Sequence, residues 1–398
     1  MTINNFRDIL SKNYIMNNCK YNKIGIYIHI PFCNGKCKYC SFVSGNLDRE
    51  IEKKYFKCLE NEINISQKCP NDIVRTIYFG GGTPSAVNEK YIIQTLNCVK
   101  NNFKLCENSE ISIECNPNSV NFSKLYALRQ AGFSRISLGA QNFRQDILNV
   151  LGRQHTLAQI FEAVELAKQA GFNNIGIDYI IGAKKLDKEI FAKNIEKLKN
   201  LGLKHISVYM LQMEKGTPLF KEMQQGIFKS LSDDECIDDY NSVIKILKKF
   251  GFLQYEISNF AQKTFHCKHN LNYWNCGEYL GFGVAAHSYI NGLRIENTND
   301  IFLYINANEN SDLINSYKKV EKTTKQQKIK DYIMLSLRTN KGLNLSTLKE
   351  LGFDIEKEKK SQIKFLQEKK LIIKTEKMLK LNSEFFGISN AIILKLIP

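Results

Sequence analysis

Three cysteines stand in one short run, Pro31-Phe32-Cys33-Asn34-Gly35-Lys36-Cys37-Lys38-Tyr39-Cys40, with the spacing C-x3-C-x2-C. Thiolates are soft ligands that select iron–sulfur clusters, zinc or copper(I). A structural zinc site closes with four protein ligands, whereas three thiolates on a four-iron cubane leave one iron open to a substrate or cofactor. The spacing lets one tight loop, bent at Gly35, wrap a single cluster, so Cys33, Cys37 and Cys40 are the candidate metal ligands. A second run, Gly80-Gly81-Gly82-Thr83-Pro84-Ser85, can bring backbone N–H and C=O groups close to a ligand, with Pro84 stiffening its exit. Further along, polar groups interrupt apolar stretches: Glu114 after Ile111 and Ile113, Gln141 at the end of ISLGAQ, Arg153 in LGRQH, and Asp178 inside Ile177-Asp178-Tyr179-Ile180. Carboxylates there can accept hydrogen bonds from ribose hydroxyls or an ammonium, and an arginine can clamp a carboxylate with two bonds.

The elements that must position these groups show in the hydropathy pattern. Six short segments rich in Ile, Val and Tyr, at 25–30, 76–80, 110–115, 135–139, 174–181 and 205–211, alternate with longer stretches of helical period such as 49–67, 89–103, 157–170 and 188–201. Gly132, Gly171 and Gly202 stand just past such stretches, where a left-handed residue ends a helix. Parallel strands with helical crossovers form either an open sheet or a barrel, and in both the loops after the strands gather at one face. The cysteine run, the glycine run and the polar residues all fall at those strand ends. Residues 216–317 are less regular, with a helical stretch near 233–249 and then a run dense in aromatics and glycine. Residues 318–398 read as helices, a hairpin near 371–382 and a final helix, the order of a small winged-helix unit.

Composition narrows the class without naming it. The 398 residues hold 43% hydrophobic and 24% charged residues, an ordinary globular balance that excludes a largely disordered chain. Twelve cysteines are too sparse for a disulfide scaffold, no apolar run reaches the roughly 20 residues of a membrane span, and the start lacks a secretory core. A cytoplasmic protein with reduced thiols is the expectation. Of the net charge of +16, residues 318–398 contribute 19 Lys and Arg against 9 Asp and Glu. That excess points to an acidic partner or an anionic membrane surface at the C-terminal unit, away from the strand ends, although a general bias toward lysine would also produce it. No nucleic-acid-binding signature accompanies it.

The C-x3-C-x2-C run after a first strand resembles the radical S-adenosylmethionine superfamily. Its flank, Tyr27-Ile28-His29-Ile30-Pro31-Phe32-Cys33, is similar to the branch that holds oxygen-independent coproporphyrinogen oxidases and HemW-type heme chaperones. The resemblance covers residues from about 23 to at least 340. It implies a partial (β/α)6 TIM-like barrel over 25–215 after an N-terminal extension at 1–24, a mixed α/β extension at 216–317 and the winged-helix-like unit at 318–398. It also implies a [4Fe-4S] cluster on the three cysteines, and S-adenosylmethionine contacted by Tyr27, Gly81, Gly82, Thr83, Glu114, Gln141, Arg153 and Asp178. The loop after the fifth strand departs from the family, with Ala183-Lys184-Lys185 where a Leu-Pro-x-Gln type turn is usual.

Two features separate the branches. The oxidases carry a further cysteine two residues after the third, and Phe42 stands there in this chain. The run His269-Asn270-Leu271-Asn272-Tyr273-Trp274, with the chain's sole tryptophan, resembles the H-N-x-x-Y-W segment of the heme chaperones. His269 could offer an imidazole to heme iron, with Tyr273 and Trp274 as flat surfaces for a porphyrin; alternatively the aromatics pack the open side of the barrel around a core histidine. Cys267, Cys276, His266, His287 and His29 are rival ligands. The resemblance thus implies a chaperone that binds heme and passes it to respiratory hemoproteins, some of them membrane-bound, and it is compatible with a cluster-promoted homodimer. The alternative is a radical decarboxylase acting on the propionates of coproporphyrinogen III.

Overall fold

The computed structural model describes residues 23–45, 48–66, 72–309 and 316–398. Cys19, Cys69 and all but the last residues of the expected N-terminal extension lie outside them.

Six parallel strands form the centre: β1 (Lys23–Ile30), β2 (Ile73–Gly81), β3 (Lys104–Cys115), β4 (Arg135–Gln141), β5 (Asn174–Ile181) and β6 (Leu203–Met210). The crossovers run through helices α1 (Arg49–Ile65), α2 (Glu89–Asn102), α3 (Phe122–Ala131), α4 (Leu157–Gln169) and α5 (Lys188–Leu201). Side-chain caps start them: Asp48, Asn88, Asn121 and Asp187 each accept a first-turn N–H, and Thr156 with Gln159 makes a capping box. Gly132 and Gly202 end α3 and α5 in the left-handed conformation expected of them.

Each strand divides its residues between two faces. On β1, Ile24, Ile26, Ile28 and Ile30 point outward and are fully buried in the layer of helices, while Gly25, Tyr27 and His29 point inward. Each fully buried Ile contributes about 1.5–3 kcal/mol. The outward face therefore holds the strand in place, and the inward face is free to carry polar groups. Cross-strand register lines these up: Thr76 pairs with Glu110, Tyr78 with Ser112, Glu114 with Ser137, and Asp178 with Ser207.

The less regular stretch extends this same sheet at both edges. Helix α6 (Asp233–Lys249) is followed by β7 (Leu253–Gln254) and β8 (Asn259–Ala261), which add antiparallel beyond β6. Helix α7 (Lys268–Trp274) leads to β9 (Tyr279–Phe282), parallel to β1, then β10 (His287–Ile290) and β11 (Leu293–Asn297). After α8 (Ile301–Glu309) comes β12 (Lys318–Lys322), antiparallel to β11. The order is β12-β11-β10-β9-β1-β2-β3-β4-β5-β6-β8-β7. Among the described residues β7 and β12 are its edges, so the barrel is partial.

The last unit contains α9 (Lys325–Ser336), β13 (Leu343–Asn344), three short helices between residues 345 and 368, and a hairpin of β14 (Ile372–Lys374) and β15 (Met378–Leu381). Its sheet order, β13-β15-β14, is that of a winged helix. Two expectations are corrected. The segment at 318 belongs to the main sheet through β12, so the separate unit begins later. The unit also does not stand away from the strand ends: Ile257 N–H donates to the Arg338 carbonyl at 2.9 Å, Glu256 bridges to Thr339, and residues near 386–390 reach the barrel mouth. Among the described residues, no helix is long and apolar enough to cross a membrane.

Candidate functional site

The loop after β1 is held from four directions. Its own ends meet, with Cys33 N–H donating to Gly45 O and Gly45 N–H to Pro31 O, both at 3.0 Å. The glycine run holds it next: Gly82 N–H donates to Ile30 O at 2.8 Å and Thr83 N–H to Phe32 O at 2.7 Å. Only glycine fits at two of these positions. Gly81 has φ +114°, and a Cβ on it would meet the His29 ring at 2.6 Å; one on Gly82 would meet Phe32 O at 2.7 Å. Third, Lys38 N–H donates to Leu151 O and its carbonyl accepts from Leu219 N–H at the short helix Pro218–Gln224. Fourth, Arg153 donates to Cys37 Sγ at 3.1 Å. Such bracing fixes where the three thiols face before any ligand arrives.

Cys33, Cys37 and Cys40 are free, partly exposed and line one cavity of ≈ 640 Å³ at the strand ends. Gly81, Gly82, Thr83, Glu114, Gln141, Arg153 and Asp178 line the same cavity, so ten of the twelve residues named from sequence come together. Among the described residues, no three of His, Cys, Asp or Glu are grouped to hold a single metal ion. The three thiols line one cavity, and this soft donor set fits an iron–sulfur cluster. The Arg153 hydrogen bond supplies the outer-shell donor that such sulfurs use.

The carboxyls of the cavity are buried and partly satisfied from below. Glu114 accepts from the Tyr78 hydroxyl at 2.8 Å and from Gly81 N–H at 3.3 Å. Burial, and then the charge of Asp178, push its carboxyl up to about 7. Asp178 accepts from Ser137 at 3.2 Å and is likewise raised by burial. Arg153 also donates to Gly139 O at 2.9 Å and to Asn116 Oδ1 at 2.5 Å, while its buried Nε has no partner. Gln141 sits at φ +62°, a left-handed turn that brings the end of β4 into the cavity.

Two expected residues, Tyr27 and His269, are not among those that line the cavity. Tyr27 is partly exposed, its hydroxyl 3.1 Å from His29 Nδ1, and His29 Nε2 donates to Val43 O at 2.9 Å. Tyr27 thus steadies the far end of the cysteine loop. His269 is 1% exposed. Its Nδ1 lies 2.8 Å from Thr76 Oγ1 and its Nε2 2.8 Å from the Tyr273 hydroxyl, and burial pushes its pKa down to about 3. Both ring nitrogens are thus engaged by hydroxyls, and the ring packs within the barrel, outside the lining of the thiol cavity. Cys267 is buried against Glu110, and His29 is engaged as above, whereas His287 is exposed and His266 partly so.

Sequence reasoning missed other parts of the wall. Asn116 follows directly after β3, and its place at a strand end was a usable signal. Tyr209, 41% exposed at the end of β6, and Phe386, Gly387, Ser389 and Asn390 of the C-terminal unit also line the cavity. Nothing local in residues 386–390 signals this, because their placement depends on how the last unit packs. Phe42, 66% exposed, stands at the mouth.

Known proteins resemble this chain in sequence and in fold. The model of the Radical SAM superfamily matches residues 27–198. The heme chaperone HemW of Lactococcus lactis is 31% identical over 365 residues, 92% of this chain and 94% of that protein. The heme chaperone HemW of Bacillus subtilis is 33% identical over 357 residues, 88% and 93% of the two chains. Among solved structures, coproporphyrinogen III oxidase (HemN) from Escherichia coli superposes with a TM-score of 0.80 at 22% identity, covering 100% of this chain and 94% of that one, a likeness of fold.

Proposed function

This chain belongs to the HemW family within the Radical SAM superfamily, and from that premise we propose that it is a cytoplasmic heme chaperone that binds a [4Fe-4S] cluster, S-adenosylmethionine and heme, and passes heme to respiratory hemoproteins. The observation that carries the reading is the near full-length likeness to proteins named heme chaperones, joined to a cavity that contains the three thiols. Cys33, Cys37 and Cys40 would hold the cluster. When bound, it supplies a redox-active iron with one position left for the methionine moiety of the cofactor.

The chain's own groups do the remainder. Arg153 donates to the Cys37 sulfur and orients it toward the cavity. Glu114 and Asp178 present carboxyl oxygens to hydroxyl or ammonium donors of the cofactor, and the clasp of Gly82 and Thr83 keeps the loop in place. Phe42 at the mouth, where the oxidases carry a cysteine, and Tyr209 provide apolar surface for a porphyrin face. Heme reaches this mouth rather than the enclosed ring of His269.

The test uses protein with its cluster rebuilt under anaerobic conditions. Heme is added, unbound heme is removed by gel filtration, and the absorbance of the protein peak is recorded. Retained heme is the expected result. In parallel, coproporphyrinogen III, S-adenosylmethionine and a reductant are supplied; turnover to protoporphyrinogen would overturn the chaperone reading in favour of an oxidase.

A further inference from the structure

The H-N-x-x-Y-W segment closes the underside of the barrel, opposite the cysteine loop. Its helix, α7, is fixed by a carboxylate: Glu110 Oε1 accepts the backbone N–H groups of Lys268 at 2.9 Å and of His269 at 3.2 Å. From there His269 enters the barrel beside β1. Gly25 makes the room, since a Cβ on it would lie 3.3 Å from His269 Cε1 and 3.3 Å from Asn272 Nδ2. The imidazole then stacks on Tyr78, centroids 5.1 Å apart and planes 23° apart. The hydroxyl of Tyr78 is the group that donates to Glu114 Oε1 at 2.8 Å, and Glu114 lines the cavity.

We infer that His269 is a positioning residue for the cofactor site, setting the ring of Tyr78 and, through its hydroxyl, the carboxyl of Glu114 that faces the cofactor's hydroxyl or ammonium donors. The two hydrogen bonds of His269, to Thr76 and Tyr273, lock the imidazole in a plane nearly parallel to Tyr78. A locked ring restricts where the Tyr78 hydroxyl can point. That in turn holds one oxygen of Glu114 and leaves its remaining lone pairs toward the cavity. The conspicuous histidine of the segment then serves the cluster side of the barrel from beneath. The inference rests on the reading that Glu114 faces S-adenosylmethionine.

A double-mutant cycle in the full-length, cluster-loaded protein tests it, with S-adenosylmethionine affinity measured by calorimetry and with iron content and heme retention read on the same samples. Tyr78→Phe keeps the stacked ring and removes only the oxygen, so it tests the route even where His269→Ala folds poorly. The expected result is a loss of about tenfold or more in affinity for Tyr78→Phe. His269→Ala should lose a similar factor alone and less than about threefold in the Tyr78→Phe background, with iron and heme unchanged. Unchanged affinity in Tyr78→Phe would overturn the inference, as would an equal His269→Ala effect in both backgrounds. Loss of heme by His269→Ala with cofactor affinity intact would also overturn it and make the imidazole a heme ligand. If the unmodified cluster-loaded protein binds no S-adenosylmethionine, the cofactor reading itself falls, and this inference with it.

Discussion

A guanidinium nitrogen of Arg153 lies 3.1 Å from the sulfur of Cys37, joining the end of the fourth strand's loop to the cysteine loop after the first. The same side chain reaches Asn116 and Gly139, so three loops meet on one planar group. Lysine, with a single point of charge, cannot reproduce that fork.

Replacing Arg153 by Lys should therefore leave the iron content largely intact and weaken the cofactor site by about 10- to 100-fold, the usual cost of losing an outer-shell partner. Loss of a donor to the sulfur should also move the cluster's reduction potential to a more negative value. Iron analysis, calorimetry and a potentiometric titration of the same variant check all three. An unchanged potential would remove Arg153 as a sulfur donor.

Gly82→Ala should lower cluster occupancy without unfolding the barrel. The added methyl meets the backbone oxygen of Phe32 at 2.7 Å, and the two N–H donors at 82 and 83 are what hold the cysteine loop. The backbone has to shift, because the obstructing atom is a carbonyl and not the end of a flexible side chain. Iron per protein after reconstitution, alongside a thermal melt of the apo protein, separates the two effects; a large drop in melting temperature with full iron content would contradict the assignment.

Cofactor affinity should rise with pH. The carboxyl of Glu114 is pushed from 4.5 up to about 7 by burial and then by Asp178. A raised carboxyl disfavours its ionised form in the folded state, so it adds nothing to stability below its unfolded value and costs stability progressively as pH rises from 4.5 to about 7. A hydroxyl or ammonium donor from the cofactor favours the carboxylate, so binding below about 7 releases a proton and tightens by up to about tenfold per pH unit until it levels off. Calorimetry in buffers of different ionisation enthalpy measures that proton directly. Glu114→Gln should abolish the slope, and a slope that survives in the variant would assign the proton elsewhere.

How much of this was legible in the sequence varies with the distance over which each feature is set. The six parallel strands and the caps at Gly132 and Gly202 follow local patterning, and the structure reproduces them within three residues except at the start of β3, which begins at Lys104 and not at 110. The cysteine loop and glycine run were readable because each carries its chemistry in consecutive residues. Tyr27 was read as a cofactor contact; an inward position on a strand does not by itself reveal the neighbour its hydroxyl takes, which here is His29. For His269 the motif showed an imidazole beside aromatics, while its neighbours Thr76 and Tyr78 come from a strand almost two hundred residues earlier. Strands β9 to β12 are only four or five residues long, too short for an alternation to stand out, and the approach of the segment near 386–390 to the cavity depends on packing between units.

The most direct test of the central claim is heme transfer. Heme-loaded, cluster-containing protein is mixed with the apo form of a respiratory hemoprotein, the two are separated by size or affinity, and the heme on each is measured by absorbance. A heme chaperone loses heme to the acceptor at a rate above that of free heme loss into an inert buffer, and that is the expected result. Heme that stays bound, or that leaves no faster with the acceptor present than without it, would contradict a chaperone role.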